Sequence, residues 1–212
     1  MTIDLLEEIN PILPLDCFAV QCKLLYTKNQ SSIKVMKKIF LLPDTSKLLH
    51  EIPFAEVAMA WNEQAIYCDI FFDRPLDPTD KIELFFDTRD LKTVSFTHRF
   101  CHQFLILSQQ VSDETFAKEI TAFRSEDVHP LCLAAALQVD LQDNRRSYTI
   151  RVVIPAHCLH GYDPLQFSRI GINYRLHSQE SGLQHFSSAY RLTEQHPRYW
   201  ASCELIKGGI CI

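Results

Sequence analysis

Glycine is scarce in this chain, at five residues in 212. Phosphate-binding loops rely on clustered glycines, because a residue without a Cβ lets backbone amides close around an anion. No G-x-G-x-x-G or Walker-type sequence occurs, which excludes nucleotide cradles of those kinds. Long apolar runs are missing as well, and none approaches the ~20 residues that a membrane-spanning helix needs. Basic charge is in deficit, with 21 Lys and Arg against 26 Asp and Glu, a net charge of −5 and a pI near 6.0. A nucleic-acid binder normally carries the opposite balance on one face, so no such partner is expected. Closely spaced cysteines are absent too. Cys17, Cys22, Cys68, Cys101, Cys132, Cys158, Cys203 and Cys211 stand singly with no C-x-x-C, so neither a zinc ribbon nor a thioredoxin-type site is indicated.

The amino terminus, MTIDLLEEIN, is acidic and broken by Glu7, Glu8 and Asn10. A signal peptide has a basic start and an unbroken apolar centre. The expected compartment is therefore the cytoplasm, with all eight cysteines reduced and mostly buried as small hydrophobes.

What is present is alternation. Hydrophobic residues make up 47% of the chain, fourteen of them phenylalanine, and they recur with period 2. Such series run through Phe18–Leu24, Ile66–Phe72, Ile82–Phe86, Phe100–Ile106, Leu133–Leu141, Tyr148–Ile154, Ile170–Leu176 and Trp200–Ile206. Turn-forming clusters such as Asp73-Arg74-Pro75-Leu76-Asp77-Pro78 and Gly161-Tyr162-Asp163-Pro164 separate them. Short strands with one apolar face predict an all-β fold, a two-sheet antiparallel β-sandwich. Helical periodicity is confined to residues 2–9 and a turn at 157–161. With no internal repeat and no Gly/Ser/Pro-rich linker, residues 1–212 read as one domain.

Several of these strands carry a resemblance. Trp61-Asn62-Glu63-Gln64-Ala65-Ile66-Tyr67-Cys68-Asp69-Ile70 resembles the central hairpin of the family 9 carbohydrate-binding modules, a group that includes the DOMON-like sandwiches. Asp80-Lys81-Ile82-Glu83-Leu84-Phe85-Phe86-Asp87 is similar to that family's D-x-V-E-I-F-I-D strand, and Ile170-Gly171-Ile172-Asn173 to its I-G-F-N strand. Trp200-Ala201-Ser202-Cys203-Glu204-Leu205 resembles its closing strand. The matches cover about residues 54–206; residues 1–53 are expected to add strands or an extension. The resemblance implies a jelly-roll-like sandwich and a non-catalytic domain that binds a saccharide. By position, Glu83, Arg99 and Asn173 match the family's polar sugar contacts. Gln103 and Arg175 extend the expected polar face, with Tyr190 and Trp200 as its nearest aromatic rings. An aromatic ring packs on the apolar C–H face of a sugar while polar groups set its orientation. The family's first stacking tryptophan has no counterpart here, where the chain reads Pro78-Thr79-Asp80.

Other constellations carry alternatives. Asp73, Asp77, Asp80, Asp87 and Asp90 fall near expected strand ends, and the resemblance implies that carboxylates of this kind hold a structural calcium. They serve equally as turn formers. His98 and His102 lie about 13 Å apart along an extended strand, so a metal ion would need partners from elsewhere, such as His129 or His185. Phe123-Arg124-Ser125-Glu126-Asp127-Val128-His129-Pro130 combines acid, base and imidazole in a loop. A metal-dependent hydrolase built from His98, His102, Glu126, Asp127 and His129 is thus one alternative to saccharide binding. An intracellular protein-interaction domain that has lost the sugar site is the other. Met36 and Met59 are available as haem ligands, but nothing around them favours that role.

Overall fold

The computed structural model describes residues 19–28, 38–108, 116–189 and 192–207. Within them, the alternating segments become strands β1 (Gln21–Tyr26), β2 (Ala55–Trp61), β3 (Ala65–Phe72), β4 (Lys81–Asp87), β5 (Cys101–Leu107), β6 (Ala117–Glu119), β7 (Gln138–Asp143), β8 (Tyr148–Pro155), β9 (Arg169–Ser178), β10 (Gly182–His185) and β11 (Ala201–Ile206). A single four-residue α-helix, α1 (Ser46–Leu49), and short 3-10 turns complete the regular structure of the described residues. The helix expected at residues 2–9 lies outside them. Leu133–Leu141, expected as one strand, is instead a 3-10 turn at Ala134–Ala136 followed by β7.

Local chemistry sets the hairpins. Between β2 and β3 the Asn62 carboxamide oxygen accepts from the amides of Gln64 and Ala65, both at 2.9 Å, and its nitrogen donates to the Tyr67 hydroxyl at 3.0 Å. An asparagine bonding the backbone ahead of it is a local turn device. β3 then pairs with β8 over eight residues, Ala65 opposite Pro155 through to Phe72 opposite Tyr148.

Hydrogen bonding follows one nearly closed path, β6-β5-β4-β9-β11-β1-β2-β3-β8-β7, with β10 attached to β9. β1 is the joint. It runs parallel to β11 from Gln21 opposite Ser202 to Leu25 opposite Ile206, and parallel to β2 only at Leu25 and Tyr26. Every other pairing is antiparallel. The two arms on either side of β1 face each other across one core. Ile82, Leu84 and Phe86 of β4 and Ile170, Ile172 and Leu176 of β9 belong to the same apolar cluster as Ile66, Cys68, Ile70 and Phe72 of β3. Full burial of each such side chain stabilises the fold by roughly 1.5–3 kcal/mol.

The cysteines differ from expectation. Cys22 of β1 and Cys203 of β11 stand opposite each other, 4.7 Å between Cα atoms, and form a disulfide. Sequence alternation shows that each faces the core but not that they share a row; the parallel register decides that. Cys68, Cys101, Cys132 and Cys158 are free thiols, and Cys17 and Cys211 lie outside the described residues.

Candidate functional site

The core takes the even-numbered residues of β4, which leaves Glu83, Phe85 and Asp87 on its outward face. Register then assembles rows across neighbouring strands. Glu83 stands between Leu105 of β5 and Arg175 of β9, and Phe85 between Gln103 and Asn173. Asp87 stands between Cys101 and Gly171.

A polar network occupies the first of these rows. Arg175 holds Glu83 with two nitrogens, one of them 2.9 Å from Oε1, and reaches Glu194 at 3.2 Å. Gln103 donates its side-chain amide to Glu83 Oε1 at 2.8 Å. Burial works against the Arg175 charge, but the bonds to Glu83 hold the guanidinium pKa above its ordinary value. Side-chain exposures of 15% for Glu83, 20% for Arg175 and 19% for Glu194 leave an accessible edge on this cluster. A carboxylate that accepts, a guanidinium that donates and an amide that does both suit a ligand bearing hydroxyls.

The other expected ligand residues do not join that edge. Asn173 is 0% exposed; its carboxamide takes the Ser187 amide at 2.9 Å and donates to Thr193 Oγ1 at 2.8 Å and the Ser188 carbonyl at 3.2 Å. It thereby ties Ser187, Ser188 and Thr193 down onto the sheet. Trp200, 2% exposed, closes the same row, its ring 5.5 Å from Phe85 and its indole N–H donating to the Thr193 carbonyl at 2.8 Å. Arg99 precedes β5, at the opposite end from Leu105, and its exposed guanidinium pairs with Asp127. A turn occupies residues 98–100, so the expected run of strand through His98 begins only at Cys101. Tyr190 lies outside the described residues.

Histidines gather behind β5. His102 faces inward, and its Nδ1 lies 2.8 Å from Glu119 Oε1. His129, from the irregular stretch after β6, brings Nε2 to 2.9 Å from the same oxygen and Nδ1 to 2.6 Å from the Arg99 carbonyl. Thr121 donates to that oxygen at 2.8 Å, while the Cys132 amide donates to Oε2 at 2.6 Å. Burial pushes the Glu119 carboxyl up, yet the bonds from His102 and His129 outweigh it and hold the carboxyl at about 2. Burial pulls the His102 imidazole below its usual value, against Glu119 acting the other way. One nitrogen or oxygen from each of His102, Glu119 and His129 lies within 4.8 Å of the others. A second such group, Asp87, His98 and Cys101, sits on the other side of the sheet.

Sequence reasoning paired His129 with His102 but missed Glu119. Its signal was a carboxylate in the apolar slot of the alternating stretch Ala117-Lys118-Glu119-Ile120. Glu126 and Asp127, expected beside His129, stay outside the group: Asp127 is spent on Arg99, and Glu126 lies at an exposed bend. Four of the five aspartates considered for calcium are engaged separately. Asp80 binds Arg74 and Tyr148, Asp77 caps Thr79, Asp87 takes the amides of Arg89 and Leu91, and Asp90 pairs with Lys92. None of the metal-competent groups among the described residues is made of these carboxylates alone. A cavity of about 710 Å³ opens elsewhere, beside Leu42, Phe54, Phe71, Arg74 and Gln184.

Two solved structures of a family 9 carbohydrate-binding module from Caldicellulosiruptor kristjanssonii superpose on this backbone. With cellotriose bound, the TM-score is 0.60 at 10% identity, over 90% of this chain and 95% of the other. With glucose bound, it is 0.60 at 11% identity, over 91% and 98%. The fold is similar to that of the family 9 modules. No protein-family model matches the chain, and no curated protein matches it. The likeness to the family 9 modules is therefore one of backbone, and the side chains of the outward face must be weighed on their own chemistry.

Proposed function

We propose that this chain is a non-catalytic saccharide-binding module, its two arms arranged as a jelly-roll-like sandwich, with Glu83, Gln103 and Arg175 as its ligand-facing polar set. The supporting observation is the network of those three side chains on the outward face of β4, β5 and β9, in which Glu83 and Arg175 keep an exposed edge and Gln103 is buried beside them. The backbone is similar to that of modules whose structures contain glucose and cellotriose. Sugar hydroxyls would add to the free edges of the carboxylate and guanidinium, with charge-assisted hydrogen bonds about twice as strong as neutral ones. Phe85 and Trp200 are both buried, so orientation rests on polar contacts, with Leu105 the neighbouring apolar surface.

A glycan array that includes glucose and cello-oligosaccharides, run on the natural chain and on Glu83→Gln, tests the reading. Binding of a defined glycan is expected, weakened at least about 10-fold in the variant, in line with the ~1.5–3 kcal/mol of one hydrogen bond to a charged group. Thermal unfolding checks that the variant stays folded. No glycan retained by the natural chain would overturn the proposal and leave the fold assignment intact.

A further inference from the structure

We propose that His102, Glu119 and His129 form a binding site for one divalent transition-metal ion of the zinc class. The three come from β5, β6 and the stretch after β6, and all are buried, with side-chain exposures of 0%, 0% and 2%. Their ligand atoms converge: Nδ1 of His102 and Nε2 of His129 both point at Oε1 of Glu119, at 2.8 and 2.9 Å.

The lone pairs make the case. Nδ1 of His129 faces the Arg99 carbonyl, which only accepts, so that nitrogen carries a hydrogen. In a neutral imidazole the other nitrogen, Nε2, then presents a lone pair, and it points at a carboxylate oxygen that also presents lone pairs. A proton or a metal ion between them would satisfy both atoms. Protons would have to be placed separately on the two imidazoles, whose nitrogens converge with the Thr121 hydroxyl on one oxygen. A metal ion would satisfy both imidazoles and the carboxylate together. Zinc bonds of about 2.0–2.1 Å in tetrahedral geometry space their ligands by about 3.3–3.4 Å, so each nitrogen need move from the carboxylate oxygen by only about half an ångström.

The surroundings fit a metal centre. A metal-bound histidine usually donates its other nitrogen to a carbonyl or carboxylate, as His129 does to Arg99, and a metal-bound carboxylate is itself hydrogen-bonded, as Glu119 is by the Cys132 amide. Two imidazole nitrogens and one oxygen suit zinc and its neighbours in the first transition row, whereas calcium takes oxygen ligands only. Three protein ligands leave a position for a water. The ion would also brace the fold. β6 is a three-residue strand at one end of the sheet path, and a bound metal would pin the irregular segment carrying His129 onto it.

Equilibrium dialysis of the purified chain against Zn²⁺, with a competing chelator, tests this, and Co²⁺ serves as a spectroscopic probe. One zinc per chain is expected, together with cobalt ligand-field bands and no thiolate charge-transfer band. Loss of an outer-shell partner already weakens metal affinity about 10–100-fold, so His129→Gln and His102→Gln should each weaken it about 100-fold or more. Zinc at about 100 times its Kd should raise the thermal midpoint of the natural chain by on the order of 5–10 °C. Should the variants not fold, nitrogen NMR of the natural chain decides. Zinc must shift His129 Nε2 and His102 Nδ1 while the Nδ1 hydrogen of His129 persists. No bound zinc, a thiolate band, unshifted ring nitrogens, or undiminished zinc binding by a folded His129→Gln chain would each overturn the proposal.

Discussion

Trp200 decides whether the outward face of β4 and β9 is a wall or a platform. Its indole is 2% exposed, lies 5.5 Å from Phe85 and donates to the Thr193 carbonyl. Trp200→Ala removes a buried aromatic side chain, which destabilises a core by about 3–5 kcal/mol. For a chain of this length that lowers the thermal midpoint by on the order of 6–20 °C. Trp200→Phe keeps a ring against Phe85 and loses the N–H bond. The Thr193 carbonyl still accepts from the His196 amide at 3.3 Å, so it is not left bare, and the change should cost about 1–2 kcal/mol. Urea unfolding followed by far-ultraviolet circular dichroism measures both. Trp61, 1% exposed, is the only other tryptophan, so the natural chain should emit in the blue, resist acrylamide quenching and show no direct stacking signal with sugars. A Trp200→Ala chain within about 1 kcal/mol of the natural one, yet unable to bind saccharide, would refute the assignment of Trp200 to structure.

Asp80, 1% exposed, grips Arg74 at 2.8 and 2.6 Å and also takes the Tyr148 hydroxyl. Asp80→Asn should destabilise by about 3 kcal/mol in urea unfolding, the lower end for breaking a buried pair because Arg74 keeps some solvent; a loss below about 1 kcal/mol would show that the clamp is idle. The Cys22–Cys203 disulfide joins residues 181 apart, and chain entropy for such a loop gives about 5 kcal/mol, so Cys203→Ser should lower the urea midpoint markedly. Alkylating thiols during cell lysis and again after reduction would show whether the bond exists in the chain's own compartment. Burial pushes the Cys132 thiol up to about 12, leaving about one thiolate in 10,000 at pH 8. Iodoacetamide should therefore label Cys132 slowly there and about tenfold faster per pH unit up to pH 10; fast labelling at pH 8 would contradict its surroundings.

Strands were legible where one face is buried and the other wet. In β8 burial alternates residue by residue along Tyr148–Pro155, as the apolar period predicts. The pairing of Glu83 with Arg175 and Gln103 was legible only as shared face, since adjacency depends on register. Asn173 and Trp200 misled because a polar residue and a ring on an outward face look exposed in sequence. What buries them are residues 187–189 and 192–200, whose regular structure is confined to 3-10 turns and so has no period to read. The disulfide was hidden for a related reason. A parallel pair such as β1 and β11 is joined by no hairpin, and nothing local announces that residues 181 apart will meet.

The Glu83–Arg175 pair is the feature that stability alone explains least. In the neighbouring row Phe85 packs against Trp200, and extending that contact would cover the sheet with ordinary packing. A partly buried ion pair gains little over well-packed hydrophobic residues, whereas removing one partner leaves the other charge stranded. Glu83→Leu strands Arg175 with Glu194 alone, and Arg175→Leu strands a half-buried carboxylate with only Gln103 beside it. Each single change should therefore cost about 1–3 kcal/mol, and the double change Glu83→Leu with Arg175→Leu should come within about 1 kcal/mol of the natural chain. If the pair is kept for a ligand, the double variant folds normally and binds no saccharide. If the double variant is destabilised by the sum of the singles or more, the pair is structural, and the reason for placing a ligand on it disappears.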